Sequence, residues 1–151
     1  MTIANQIDSF WGVVIAVKNL DVAIDNYKKL GFELVDRSDR IEWGLEAAQF
    51  KVGSHGAVFE FITPVDETKD VAKVLRKFLD QRGEGVYEVA VNVADIDAVN
   101  AHVKKQGIKT LGEPMHVPVP QYAHRKLMWV SPKSTNGVFL EFMTTDTKSN
   151  K

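Results

Sequence analysis

VVIAVKNLDVAI, residues 13–24, has a close counterpart, VAVNVADIDAVN, at residues 89–100. Both stretches begin with an apolar run typical of a β-strand. Each then passes through a polar residue suited to cap a helix and continues with apolar residues at helical spacing. The repetition predicts two copies of one structural module, over residues of about 10–66 and about 86–146.

Within each module the pattern indicates a strand, a helix and then three strands. Asn19 is the predicted cap of the helix in the first module, and Asp95 has the same place in the second. Gly31 and Gly107 are predicted to end these helices, because glycine readily adopts the left-handed conformation found beyond a helix C-terminus. The order βαβββ therefore occurs twice along the chain.

A further amphipathic segment, at about residues 70–82, predicts a helix that joins the two modules within one domain of 151 residues. Its expected apolar face consists of Val71, Val74, Leu75 and Phe78. The sequence thus predicts an α+β fold in which two tandem βαβββ modules form a curved mixed sheet around a central cavity.

The composition excludes several classes of protein. A net charge of -1 without a long basic run argues against a nucleic-acid partner. The longest apolar stretch is too short to cross a bilayer, and no signal peptide is evident, so a cytoplasmic location without membrane attachment is expected. The absence of cysteine excludes disulfides, thiolate catalysis and zinc–thiolate sites.

Two predicted strands, GAVFEF and GVFLEF, place the carboxylates Glu60 and Glu141 in otherwise apolar runs. A buried carboxylate must be protonated, paired or bound to a ligand, because an unpaired charge away from water is costly. Strand alternation adds Glu46 and Glu88, which share strand faces with small residues. The small neighbours indicate that these acids face a cavity, although exposure on an edge strand is an alternative for each.

IAVKNLDVAI followed by LGFELV, then RGEGVYEVAVNVADIDAV, and finally SPKSTNGVFLEF resemble the vicinal oxygen chelate (glyoxalase-like) superfamily. Within it the likeness is greatest to the methylmalonyl-CoA epimerases, and it covers roughly residues 10–143. The resemblance implies a cavity lined by four metal ligands, which in those epimerases are His, Gln, His and Glu. It also implies two carboxylates that act as acid and base on opposite faces of the substrate α-carbon.

Carried over position by position, the four ligands fall on Gly12, Glu60, Glu88 and Glu141. Gly12 offers no ligand and both histidines are gone, so the standard site is not intact and the cofactor is unknown. Glu60, Glu88 and Glu141 are the remaining metal-ligand candidates, and three carboxylates would suit a hard divalent ion such as Mg²⁺, Mn²⁺ or Ca²⁺.

The resemblance also implies Glu46 and Glu141 as the catalytic acid and base. An enolate formed next to a carbonyl needs positive charge or hydrogen-bond donors beside it. The candidates for substrate binding are Tyr87, His124, Arg125 and Trp129, although a core or surface role is common for such residues.

Three functions follow as hypotheses. The first is an isomerase, epimerase or lyase that moves a proton next to the carbonyl of an acyl-CoA thioester or a 2-oxo acid. The second is a metal-free protein that sequesters a small molecule, and the third is a lyase or oxygenase that depends on a carboxylate-bound metal. The partner is a small molecule in each case, and a homodimer is among the arrangements such modules allow.

Overall fold

The computed structural model describes residues 3–146, in which three α-helices and eight β-strands follow the order βαβββ, helix, βαβββ. The first module contains β1 (Ile7–Ala16), α1 (Leu20–Lys29), β2 (Glu33–Arg40), β3 (Leu45–Val52) and β4 (Ala57–Pro64). Helix α2 (Asp70–Arg82) follows it. The second module contains β5 (Gly85–Val93), α3 (Ile96–Lys105), β6 (Met115–His116), β7 (Lys126–Val130) and β8 (Leu140–Thr144). The α+β fold of two tandem βαβββ modules is confirmed.

The described chain divides into two compact units, one formed by residues 12–87 and the other by residues 3–11 with 88–146. In the 12–87 unit the strand order is β2-β3-β4-β1, with β1 parallel to β4 and the remaining pairs antiparallel. In the other unit the order is β5-β8-β7-β6, with β5 parallel to β8. Each unit therefore has a mixed sheet with one parallel pair.

Helix α1 covers one face of the sheet in the 12–87 unit. Its buried residues Leu20, Ala23 and Ile24 pack on Ala48 and Phe50 of β3 and on neighbouring aromatic rings. Because side chains alternate along a strand, this contact assigns the even-numbered residues of β3 from Glu46 to Phe50 to the α1 side. The odd-numbered residues, Gln49 among them, lie on the opposite face.

Helix α3 covers one face of the sheet in the other unit in the same way. Ile96, Val99 and Val103 pack on Met128 of β7 and Phe142 of β8, all of them less than a tenth exposed. The residues that alternate with these along the strands form the opposite face. That opposite face carries Glu88 of β5 and Glu141 of β8.

The predicted helix caps are confirmed. The Asn19 side chain accepts a hydrogen bond from the Val22 amide at 3.1 Å, and Asp95 accepts one from the Ala98 amide at 3.0 Å. These contacts satisfy amide groups that have no partner within the helix. Helices α1 and α3 therefore begin where the sequence pattern places them.

Two local predictions differ from the structure. Of the apolar face predicted for α2, Leu75 is buried, but Val74 is 55% exposed, and the buried stripe is completed by Ala72 and Leu79. A Cβ atom on Gly44 would lie 3.1 Å from that of Ala72, so small residues are needed at this close approach. The segment KTLGEP, expected to be the first strand after the helix of the second module, has only Thr110 in a bridge. Strand β6 begins instead at Met115, after a proline that cannot donate to a strand.

No helix in the described range 3–146 is long and apolar enough to cross a membrane.

Candidate functional site

Glu141 lies on the face of its unit that α3 leaves uncovered. Its neighbours in β8, Leu140 and Phe142, pack with α3, so Glu141 points to the other side. Ala90 of β5 and Trp129 of β7 are its partners in the adjacent strands. Glu141 is only 6% exposed, and Ala90 beside it is fully buried.

Arg125, which precedes β7, is a buried cation in the same unit and is also 6% exposed. Its Nε and Nη2 atoms donate to the Thr144 carbonyl at 2.9 and 2.8 Å, and Nη2 donates to Asn92 Oδ1 at 2.8 Å. Burial lowers the pKa of Arg125, while the charges of Asp146 and Glu141 act in the opposite direction. The guanidinium stays protonated, because arginine does not lose its proton in proteins, and it supplies positive charge near Glu141.

Glu60 is paired rather than free in the 12–87 unit. Gln49 of β3 donates to Glu60 Oε1 at 3.0 Å, and Arg40 Nη2 lies 3.3 Å from the same oxygen. Arg40 ends β2 and is 3% exposed. Glu60, Gln49 and Asp36 are partners across β4, β3 and β2, so they form one polar row on the face that α1 leaves uncovered.

Sequence reasoning missed Arg40. The stretch DRSDR looks like a solvated charge run, yet the alternation of exposure in β2 turns Asp36, Ser38 and Arg40 inward and their neighbours outward. A signal was present, since Asp36, Ser38 and Arg40 are spaced two apart, as one face of a strand requires. A register shift between Leu34 and Asp36 moves the even-numbered residues of β2 from the α1 side of the sheet to the opposite face, and this shift is not visible in the sequence.

Glu46 lies on the α1 side of β3, with Ala48 and Phe50, and its partner in β4 is Thr63. It does not share a face with Glu60, whose partner in β3 is Gln49. Its predicted role as one of two catalytic carboxylates stays a prediction.

Glu88 lies on the same face of β5 as Ala90, because Val91 and Val93 on the alternate face pack with α3. This brings Glu88 and Glu141 onto one face of one unit.

The four predicted substrate-binding residues have different surroundings. Trp129 is the cross-strand partner of Glu141 and stacks on Phe139, with ring centroids 6.3 Å apart. His124 Nε2 lies 3.0 Å from Asp146 Oδ1. Tyr87 makes an edge contact with Phe78 of α2 at 5.0 Å. Of these four residues, Arg125 and Trp129 therefore have the most direct relation to Glu141.

The residues present do not fit the metal site that the fold family implies. Gly12 has φ of +147°, and a Cβ atom there would lie 1.9 Å from the Val58 carbonyl oxygen, so no side chain can be placed without moving the backbone. Glu60 is engaged by Arg40 and Gln49. Among the described residues 3–146, no group of three or more His, Asp or Glu side chains is placed to hold a metal ion. The metal-binding roles of Glu60, Glu88 and Glu141 stay predictions.

Gly12→Ala is expected to lower the free energy of unfolding by more than about 3 kcal/mol, because a clash against strand β4 adds to the about 1–3 kcal/mol of an unfavourable backbone conformation. Gly31→Ala is the matched control, since its φ is +97° and no atom lies within 4 Å of the added Cβ. The control should cost about 1–2 kcal/mol. Urea denaturation of both variants measures the difference, and equal losses would contradict the clash at Val58.

The sequence profile of the glyoxalase-like domain family matches residues 13–151. The chain belongs to this family. The predicted resemblance to the vicinal oxygen chelate superfamily is thereby confirmed, and the match covers both modules of this glyoxalase-like protein.

Solved structures similar to the glyoxalase-like protein include methylmalonyl-CoA epimerases. The epimerase from Mycobacterium tuberculosis is 30% identical, with coverage of 99% of this chain and 95% of that one and a TM-score of 0.81. A variant of the Streptomyces coelicolor epimerase in complex with 2-nitronate-propionyl-CoA is 26% identical, with coverage of 93% and 99% and a TM-score of 0.78. A methylmalonyl-CoA epimerase in complex with methylmalonyl-CoA and NH₄⁺ is 24% identical, with coverage of 95% and 96% and a TM-score of 0.75, and this likeness concerns the fold alone.

Proposed function

We propose that the glyoxalase-like protein is an epimerase of acyl-CoA thioesters, in which Glu141 moves the proton on the carbon next to the thioester carbonyl. The burial of Glu141 on the uncovered face of its sheet, between Ala90 and Trp129, carries this proposal. The 30% identity to the Mycobacterium tuberculosis methylmalonyl-CoA epimerase over nearly the whole chain supports the substrate class.

Epimerisation needs a base that takes the α-proton from one face, a positive charge that stabilises the enolate, and a donor that returns a proton to the opposite face. Glu141 is the proposed base, and the returning proton comes from Glu46, the second carboxylate that the resemblance implies, or from water. Glu141 is held away from bulk water, which suits a general base better than a solvated surface position. Arg125 supplies positive charge near it, and its hydrogen bonds to Thr144 and Asn92 fix the guanidinium. Because the side chains at the implied metal-ligand positions do not fit a metal ion, Glu141 is proposed to transfer the proton and Arg125 to supply the positive charge.

Deuterium exchange tests this function directly. The protein is incubated in D₂O with α-branched acyl-CoA thioesters, methylmalonyl-CoA first, and with 2-oxo acids as a second substrate class. Mass spectrometry is expected to find one deuterium at the α-carbon of at least one thioester, faster than in a protein-free control. Exchange in the 2-oxo acids alone would contradict the thioester assignment. Tight binding of a thioester without exchange would favour a sequestering protein instead.

A further inference from the structure

Arg40 is the one charged residue of the 12–87 unit that is buried, at 3% exposure. Its guanidinium donates to Ser38 and lies 3.3 Å from Glu60 Oε1 and 3.6 Å from Asp36 Oδ2. Ser38 in turn donates to the same Asp36 oxygen at 2.9 Å. The side chains of Arg40 and Glu60 are only 4% and 15% exposed, so water screens their attraction weakly.

These contacts determine what else Glu60 can bind. One carboxylate oxygen, Oε1, already faces both the Arg40 guanidinium and the Gln49 amide. A divalent cation beside Glu60 would meet the positive charge of Arg40 within a few ångströms, where repulsion between like charges is strong in a partly buried site. Gln49 donates to the same oxygen at 3.0 Å, so Glu60 Oε1 has both a neutral donor and a cation beside it.

The neighbouring strand offers no ligand that could offset this repulsion. In β1 the partner of Glu60 is Val14, and the partner of Val58 is Gly12. Neither residue has a side-chain donor atom, and Gly12 leaves no room for one. The 12–87 unit therefore has a carboxylate–guanidinium pair at the position where the fold family implies a metal ligand.

We propose that the Arg40 guanidinium takes the place of a divalent cation beside Glu60 and that the protein holds no resident metal there. Arg40 neutralises Glu60, fixes its orientation together with Gln49, and excludes metal ions from this face of the sheet. The proposal concerns binding within one unit and does not depend on the proposed reaction, so a failure of the exchange experiment leaves it standing.

The test is to titrate the 151-residue protein with Mn²⁺. Electron paramagnetic resonance measures the concentration of free Mn²⁺ at each point of the titration. Wild type is expected to purify without stoichiometric metal and to show no saturable Mn²⁺ site. Arg40→Met is expected to show saturable Mn²⁺ binding, at least about tenfold tighter than the weakest binding that the wild-type titration can detect, because it frees two carboxylates, Glu60 and Asp36. The double variant Arg40→Met with Glu60→Gln is expected to return to the wild-type level.

Arg40→Lys is the matched control, since it keeps a positive charge near Glu60 and should remain as weak in Mn²⁺ binding as wild type. Circular dichroism establishes that each variant is folded before titration. A wild-type protein with one equivalent of metal that is lost in Glu60→Gln would overturn the proposal. A folded Arg40→Met that binds Mn²⁺ no better than wild type would overturn it as well. If Arg40→Met does not fold, the wild-type metal content and the Glu60→Gln comparison still decide the question.

Discussion

Glu141→Gln is expected to reduce the rate of α-proton exchange by about 10²–10⁴-fold, the usual contribution of a positioned general base. Glutamine has nearly the shape of glutamate but cannot take the proton, so the loss should appear in kcat more than in KM. The measurement is deuterium incorporation into the thioester that wild type exchanges fastest, at several substrate concentrations.

Two further variants make this result specific. Glu33→Gln, on the exposed first residue of β2, changes the charge equally and should leave the exchange rate unchanged. Glu46→Gln tests the second carboxylate that the epimerase resemblance implies. A rate near wild type would contradict a catalytic role for Glu46, whose strand neighbours Ala48 and Phe50 pack with α1. An exchange rate in Glu141→Gln close to that of wild type would overturn the assignment of Glu141 as the base.

The fold was predictable from the sequence because its signals are local and occur twice. Strand alternation, the caps Asn19 and Asp95, and the stop at Gly107 depend on residues close together in the chain. Repetition strengthened these signals, since an error in one module would have disagreed with the other. The fold family followed from the same stretches.

The alternation of side chains along β4 and β8 also predicts that Glu60 and Glu141 lie on the opposite face from the residues next to them, as they do in the structure. It could not show which face a helix covers, because that depends on the packing of α1 and α3. Glu46 and Glu60 illustrate the limit: the sequence gives each a strand face, but only the register between β3 and β4 shows that the two faces are opposite.

The buried arginines were the least predictable part of the site. Arg40 lies in a charge run and Arg125 between a histidine and a lysine, and the usual place for such residues is the surface. Their burial depends on contacts with distant residues, Glu60 for Arg40 and Thr144 and Asn92 for Arg125. Arg40 pairs with Glu60, and Arg125 lies near enough to Glu141 for their charges to interact. The strand pattern alone reveals neither relation.

Arg125→Met is expected to lower the free energy of unfolding by about 3–5 kcal/mol, because it leaves buried polar groups without their charged partner. The variant removes the donors to the Thr144 carbonyl and to Asn92, and it removes the positive charge near Glu141. Methionine fills a similar apolar volume, so the loss reports on the guanidinium rather than on a large cavity. Thermal unfolding should shift downward by roughly 2–4 °C for each kcal/mol lost.

Arg37→Met is the matched control for this prediction. Its guanidinium also pairs with a carboxylate, that of Asp21 at 2.5 Å, but the two side chains are 47% and 76% exposed. An ion pair in contact with water contributes about 0–1 kcal/mol, so the control should unfold close to wild type. Arg125→Lys keeps the charge but not the forked geometry that reaches Thr144 and Asn92 together, and an intermediate loss is expected. Urea denaturation measures the free energy of unfolding of each variant. Equal values for Arg125→Met and Arg37→Met would show that the buried Arg125 guanidinium does not stabilise the fold.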